Sequence, residues 1–179
     1  MKKLLSVLVI VGLLLGVFAI AEEDVVAITI PPSEDSGFTP GEPSEWNDKV
    51  LSYETKEDGT IVITMTREVH AELMADLIPQ FRSSLDETVA GCEAIKSIEP
   101  NEDYTQMDIL IDTSAPDALF FSFQLITCVY VAGYYQIFNG VSPDDVYYVF
   151  NFFDEATGNT NSFDSRTDDL STLFPSIEG

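Results

Sequence analysis

The chain of 179 residues carries 31 acidic against eight basic side chains, a formal charge of −23. Such a surface repels polyphosphate and anionic lipid, which argues against a nucleic-acid ligand and against a polybasic membrane contact. One histidine and two cysteines supply too few nitrogen and sulfur ligands for a structural zinc site. The acidity itself fits a soluble surface, a salt-adapted surface, affinity for divalent cations or a basic partner.

Lys2 and Lys3 precede an apolar run from Leu4 to Ile20, and Ala19-Ile20-Ala21 provides a small-x-small pattern before Glu22. Residues 1–21 therefore read as a secretory signal peptide, with an uncleaved membrane anchor as the alternative. That segment is the one expected link to a membrane, and no cysteine near it offers a lipoprotein site. Cleavage would leave six basic residues against 31 acidic ones, a charge of −25, on a chain about one domain long. The expected location is secreted or on the extracytoplasmic face of the membrane.

Residues 22–48 hold Pro31, Pro32, Pro40 and Pro43 among eight acids and read as an extended acidic tether. Val25 to Ile30 could add one edge strand before Pro31-Pro32 ends it. Trp46, the only tryptophan, is expected to fold back on the core, a sugar-stacking platform being the other use.

A single domain is expected over residues 49–170, with a tail at 171–179. Val50 to Thr55 and Thr60 to Thr66 form a hairpin around Asp58-Gly59. A helix follows, capped by Thr66, with Val69, Leu73, Leu77, Phe81 and Leu85 in a stripe joined by Met74 and Ile78. Pro79 should kink it, and Gly91 should close it in the left-handed conformation. Glu93 to Glu99 and Tyr104 to Asp112 make a second hairpin, with Met107, Ile109 and Ile111 on its buried side. Asp145 to Phe153 and Asn159 to Phe163 make a third around Thr157-Gly158.

Between the last two hairpins lie twenty uncharged residues, Leu119 to Phe138. Leu119, Phe123, Ile126, Tyr130, Gly133 and Ile137 recur every three or four positions and are assigned to the core. The flanks carry Asp112, Asp117, Asp144 and Asp145 but no basic anchor, so a helix lying on a sheet is favoured over a lipid-facing span. Phe121, Val131, Tyr134 and Tyr135 would then form an outer aromatic patch, which is expected to contact a protein partner or a second copy unless the tether or the last hairpin covers it.

Grouped hairpins separated by helices predict an α+β fold: an antiparallel sheet of five to six strands with two helices packed on one face and no parallel βαβ unit. A ferredoxin-like arrangement is one candidate.

Cys92 and Cys128 invite a disulfide in an exported chain, with two buried thiols as the alternative. His70, between Glu68 and Glu72, is expected at the surface, and no spacing supports a thiol-imidazole pair. Asp154, Glu155, Asn159 and Asn161 gather oxygen ligands on one turn and are the candidates for Ca2+, although Ala156 and Gly158 stand where an EF-hand needs ligands. Asp144-Asp145 and Asp168-Asp169 could serve hydrolysis only if they met across a cleft. No other cofactor is implied, and no catalytic residue is assigned.

The segments Tyr134-Tyr135-Gln136-Ile137-Phe138-Asn139-Gly140, Val146-Tyr147-Tyr148-Val149 and Asp154-Glu155-Ala156-Thr157-Gly158 resemble small exported or membrane-tethered proteins of Gram-positive bacteria that have no assigned activity. The resemblance runs from about Thr60 to Phe163. It implies an α+β fold and an envelope location, and it brings no functional residues. The sequence thus favours a non-enzymatic binding module, with a small hydrolase that depends on carboxylates or a divalent metal as the alternative.

Overall fold

The structure is a computed structural model that describes residues 24–32 and 49–173. Residues 1–21, expected as a signal peptide, most of the expected tether including Trp46, and the end of the C-terminal tail lie outside the described residues.

The fold is α+β, with two sheets rather than the expected single one. The first sheet has strand order β1-β3-β2, from β1 (Val25–Ile30), β2 (Ser52–Thr55) and β3 (Ile61–Thr66). The second is β4-β5-β6-β7, from β4 (Ile95–Pro100), β5 (Gln106–Ile111), β6 (Val149–Asp154) and β7 (Thr160–Asp164). Helix α1 (Arg67–Ala90) joins the sheets, and α2 (Phe121–Phe138) lies between β5 and β6. The edges at β1 and β4 are also irregular. Pro31 ends β1, while β4 carries Pro100 and a register shift between Ile95 and Ser97, so neither offers a clean edge to the other.

The three hairpins lie where turn residues place them: β2–β3 around Gly59, β4–β5 through Asn101, and β6–β7 around Gly158. Gly59 and Gly158 both have positive φ, 87° and 74°, which a side chain would oppose. The connection from β5 to β6 departs from expectation, because these strands pair in parallel. The reason is the length of α2. Eighteen residues at about 1.5 Å each carry the chain back about 27 Å, past the whole of a six-residue strand, so β6 re-enters at the end where β5 began. With two sheets, the second in plain sequence order β4-β5-β6-β7, the ferredoxin-like arrangement is excluded.

Residues 25–30, read as tether with the option of an edge strand, form the edge strand β1 and bury Ile28 and Ile30 in the core. Across β5, Met107, Ile109 and Ile111 are buried while Gln106 and Asp108 face outward, as alternation requires. One core cluster spans both sheets and both helices. Along β7 the backbone N–H of Ser162 donates to Asn161 Oδ1 (2.9 Å) and that of Asp164 to Asp168 Oδ2 (2.8 Å).

Thr66 caps α1, its hydroxyl accepting from Val69 N–H at 3.3 Å. The helix is continuous through Pro79, and Ala75, whose carbonyl loses a donor there, is exposed to water. Gly91 is not left-handed: its φ is −86°. It serves by closeness instead, since a Cβ there would lie 3.2 Å from Glu87 O.

Helix α2 is turned about its axis relative to expectation. Leu119 (82% exposed), Phe123, Ile126 and Tyr130 face out, whereas Ser122, Leu125, Cys128, Ala132, Tyr135 and Gln136 face in. Both sets have helical spacing, and the helix is apolar all round. Side-chain size decides between them. Ser122, Cys128 and Ala132 are small, so this side lets α2 approach α1 and β1 closely, and the bulky stripe is left outside.

Candidate functional site

The outer stripe of α2 is the largest aligned set of exposed apolar side chains among the described residues. Leu119 and Phe120 begin it on the turn before the helix, and Phe123, Ile126 and Tyr130 continue it at intervals of three and four. Tyr130 stacks on half-buried Tyr134, with centroids 5.9 Å apart and an interplanar angle of 9°. Beyond them a cavity of about 240 Å³ opens, lined by Pro31, Val129, Gly133, Ile137, Pro143 and Tyr148 among others. The helix thus bears a protruding end and a hollow end on one face.

Of the residues assigned to an outer aromatic patch, Val131 and Tyr135 are buried and do not form a surface. The rotation of α2 moves them inward. Tyr135 stacks on Tyr104 at 4.1 Å, and its hydroxyl donates to Glu102 O. Phe121 is half-buried, edge-on to Phe152 of β6 at 6.5 Å. Tyr134 alone borders the exposed stripe. Ser122, Cys128 and Ala132 mark by their small size the side on which α2 is packed, while Gly133 lies on the other side.

The rest of α2 is held firmly. Gln136, 2% exposed, donates from Nε2 to Ala132 O and Tyr147 O, and its Oε1 accepts from Tyr147 N–H at 3.4 Å. His70 is not a free surface group: Nε2 lies 2.8 Å from Phe138 O and ties α1 to the last turn of α2.

The cysteines are free and buried, not bridged. The Asp117 carboxylate accepts from the N–H groups of Glu93 and Ala94 and so holds Cys92 beside the start of α2. Cys128 stands eleven residues on, about 16 Å along a helix axis, too far for a disulfide. Burial pushes the Cys128 thiol up to about 12, and desolvation with the nearby Asp117 carboxylate raises that of Cys92. Neither is an activated nucleophile.

The turn proposed for Ca2+ is occupied by its own donors. Asp154 Oδ1 accepts from the N–H groups of Thr113 and Ala156, both at 3.1 Å, and Oδ2 from the hydroxyls of Thr113 (2.7 Å) and Thr157 (2.5 Å). These bonds hold its carboxyl down to about 2. Glu155 turns to Lys96 at 3.9 Å, and Asn161 Oδ1 takes the Ser162 N–H. Asn159 closes the hairpin through its carbonyl, which accepts from Asp154 N–H. Asp154, Glu155 and Asn161 are thus each engaged by other groups. Among the described residues no three His, Cys, Asp or Glu are grouped to hold a metal.

Asp168 and Asp169 line a shallow hollow beside β7, but Asp168 bonds the Asp164 N–H and Asp169 the Ser171 N–H. Asp144 and Asp145 lie exposed on a turn elsewhere.

No family model, curated protein or solved structure matches this chain.

Proposed function

We propose that this protein is an exported, non-enzymatic interaction module that presents the outer face of α2 to a protein partner. One observation carries the reading: Leu119, Phe123, Ile126 and Tyr130 expose between 41% and 82% of their surface along a single line, with Phe120 (61% exposed) beside it. Aligned apolar side chains of this size on a folded surface mark contact sites. Residues Ala118–Phe138 are also long and apolar enough to cross a bilayer. The opposite side of the helix is packed into the core, however, which favours a protein contact over lipid. Export rests on the residues 1–21.

Thiol labelling on producing cells tests this. A membrane-impermeant maleimide should reach Leu51→Cys, at a site 49% exposed on the approach to β2. Leu119→Cys, at the more exposed site, should label several-fold more slowly in the cell and recover fast labelling in the dilute purified chain. Fast labelling of Leu119→Cys in the cell would overturn the partner. Protection that persists in the dilute chain would show that the protein covers its own face, and a Leu51→Cys that labels only after lysis would overturn export.

A further inference from the structure

We propose that the hollow beside the C-terminal half of α2 is the seat of this chain's own residues 33–48, which dock there through Pro40, Pro43 and Trp46. The proposal stands apart from the partner reading, since Leu119 and Phe120 lie at the other end of the helix.

Strand topology is the starting point. β1 and β2 both run antiparallel to β3, one on each side of it, so they are parallel to each other and the chain between them is a crossover. Such crossovers are right-handed in nearly all folds. Leu51 N–H donates to Thr64 O, which sets β2 to the right of β3 when β3 points up and the Thr64 side chain points at the viewer. A right-handed path then passes over the opposite face, where Ile28, Ile63 and Met65 are buried and α2 packs on β1. Ala27, Ser52 and Glu54, on the face it avoids, are exposed.

Both ends of the segment lead to the hollow. Pro31 is part of its lining. At the other end, Leu51 bonds Thr64 next to Met65, whose partner on β1 is Val26. A Cβ at Gly140, just past the end of α2, would lie 3.4 Å from the Val26 side chain. Re-entry into β2 thus lies two strand spacings, about 10 Å, from the strand on which that end of α2 rests. The sixteen residues 33–48 can extend over roughly 55 Å, enough to lie along the hollow before β2 begins.

The chemistry of the two surfaces matches. A polyproline II helix repeats every three residues, so Pro40, Pro43 and Trp46 share one side while Glu42, Glu45 and Asp48 share another. Grooves that receive such helices are lined by aromatic rings. The hollow has Tyr130, Tyr134 and Tyr148, the first two stacked 5.9 Å apart, and α2 brings no charge to it. Gly133 in the same hollow is the poorest helix residue short of proline, and a Cβ there would meet nothing within 4 Å among the described residues, so packing of the helix on its own neighbours does not require it. A chain laid across the helix does, because backbone comes closest where there is no side chain. Neither Pro31 nor Tyr134 is without an interaction partner, in keeping with a hollow that is filled.

Trp46, the only tryptophan, reports on the full chain directly. Its fluorescence should be several-fold less open to acrylamide quenching in the native protein than in urea. Gly133→Leu, which fills the hollow, should restore most of that quenching with the circular dichroism of the folded protein unchanged. So should the double variant Pro40→Ser with Pro43→Ser, which removes the docking side from a segment outside the packed core. Oxidation should join Pro43→Cys to Gly133→Cys within one chain, and several-fold less to Ala27→Cys on the far face of the sheet. Joining to Gly133→Cys no greater than to Ala27→Cys overturns the proposal. A native Trp46 quenched as freely as in urea overturns it too, as does a protected Trp46 that neither variant releases. A bond between two chains in place of one within a chain would give the hollow to another copy's segment and overturn the seat proposed for this one.

Discussion

Tyr104 and Tyr135 lie stacked 4.1 Å apart with an interplanar angle of 20°, one hydroxyl bonded and the other without a partner among the described residues. Tyr104 also has a φ of 56°, unusual for a side chain of this size. The hairpin tolerates it because the ring, 3% exposed, is clasped by Tyr135 and Phe81. The same chemical change at the two positions should therefore act in opposite directions. Tyr104→Phe breaks no hydrogen bond and is expected to leave stability unchanged or raise it by up to about 1 kcal/mol. Tyr135→Phe loses the bond to Glu102 O and is expected to cost about 1 kcal/mol. Urea unfolding of both variants checks the sign.

Gln136 ties the loop before β6 to α2. Gln136→Leu keeps the volume but leaves Tyr147 N–H and C=O without their partner. A loss of about 2–3 kcal/mol is expected, from the desolvation cost of orphaned backbone groups. An unchanged urea midpoint would mean that the loop finds other partners.

Acid unfolding should show the Asp154 cluster. Its carboxyl is held at about 2, below its ordinary 3.8. The sign follows from linkage: the stabilisation is complete above about pH 4 and disappears as pH falls through about 2. Asp154→Asn should thus lower the urea midpoint at pH 6, and the gap to the parent protein should narrow steadily between pH 4 and pH 2. A gap independent of pH would show that the oxygen positions matter and the charge does not.

Thiol chemistry offers a further check. With Cys92 and Cys128 buried and the latter's thiol at about 12, the native protein should react negligibly with Ellman's reagent at pH 8. Two equivalents should be released once urea unfolds it. Fewer than two would indicate a disulfide.

Much of the fold was legible because its signals are local. Asp58-Gly59, the alternation of Met107, Ile109 and Ile111, and the cap at Thr66 depend on a few neighbouring residues, and the structure has each of them. The division into two sheets was not legible, since it depends on where α1 and α2 deliver the chain. The face of α2 was misjudged for a related reason. Hydropathy cannot orient a helix that is apolar on every side, and Phe123 and Leu125 look alike until the size of Ser122, Cys128 and Ala132 is considered. The same ambiguity sets the expected surface on Val131 and Tyr135, whereas the exposed stripe is Leu119, Phe120 and Ile126 with their neighbours. At Asp154 the sequence displays a turn rich in oxygen atoms, but it does not show that Thr113, 41 residues away, supplies donors to that carboxylate.

The two side-chain acceptors along β7 have a consequence for crowding. A strand at the rim of a sheet offers its outward N–H groups to any extended chain that drifts past, and growth by strand addition starts from that offer. Here Asn161 and Asp168 already hold the N–H groups of Ser162 and Asp164. An incoming strand would have to displace an amide and a carboxylate before making its first ladder bonds, and would meet the negative charge of Asp168 as it did so. Strand addition at Ser162 and Asp164 is therefore hindered, and this stretch of β7 is a poor template for fibre growth.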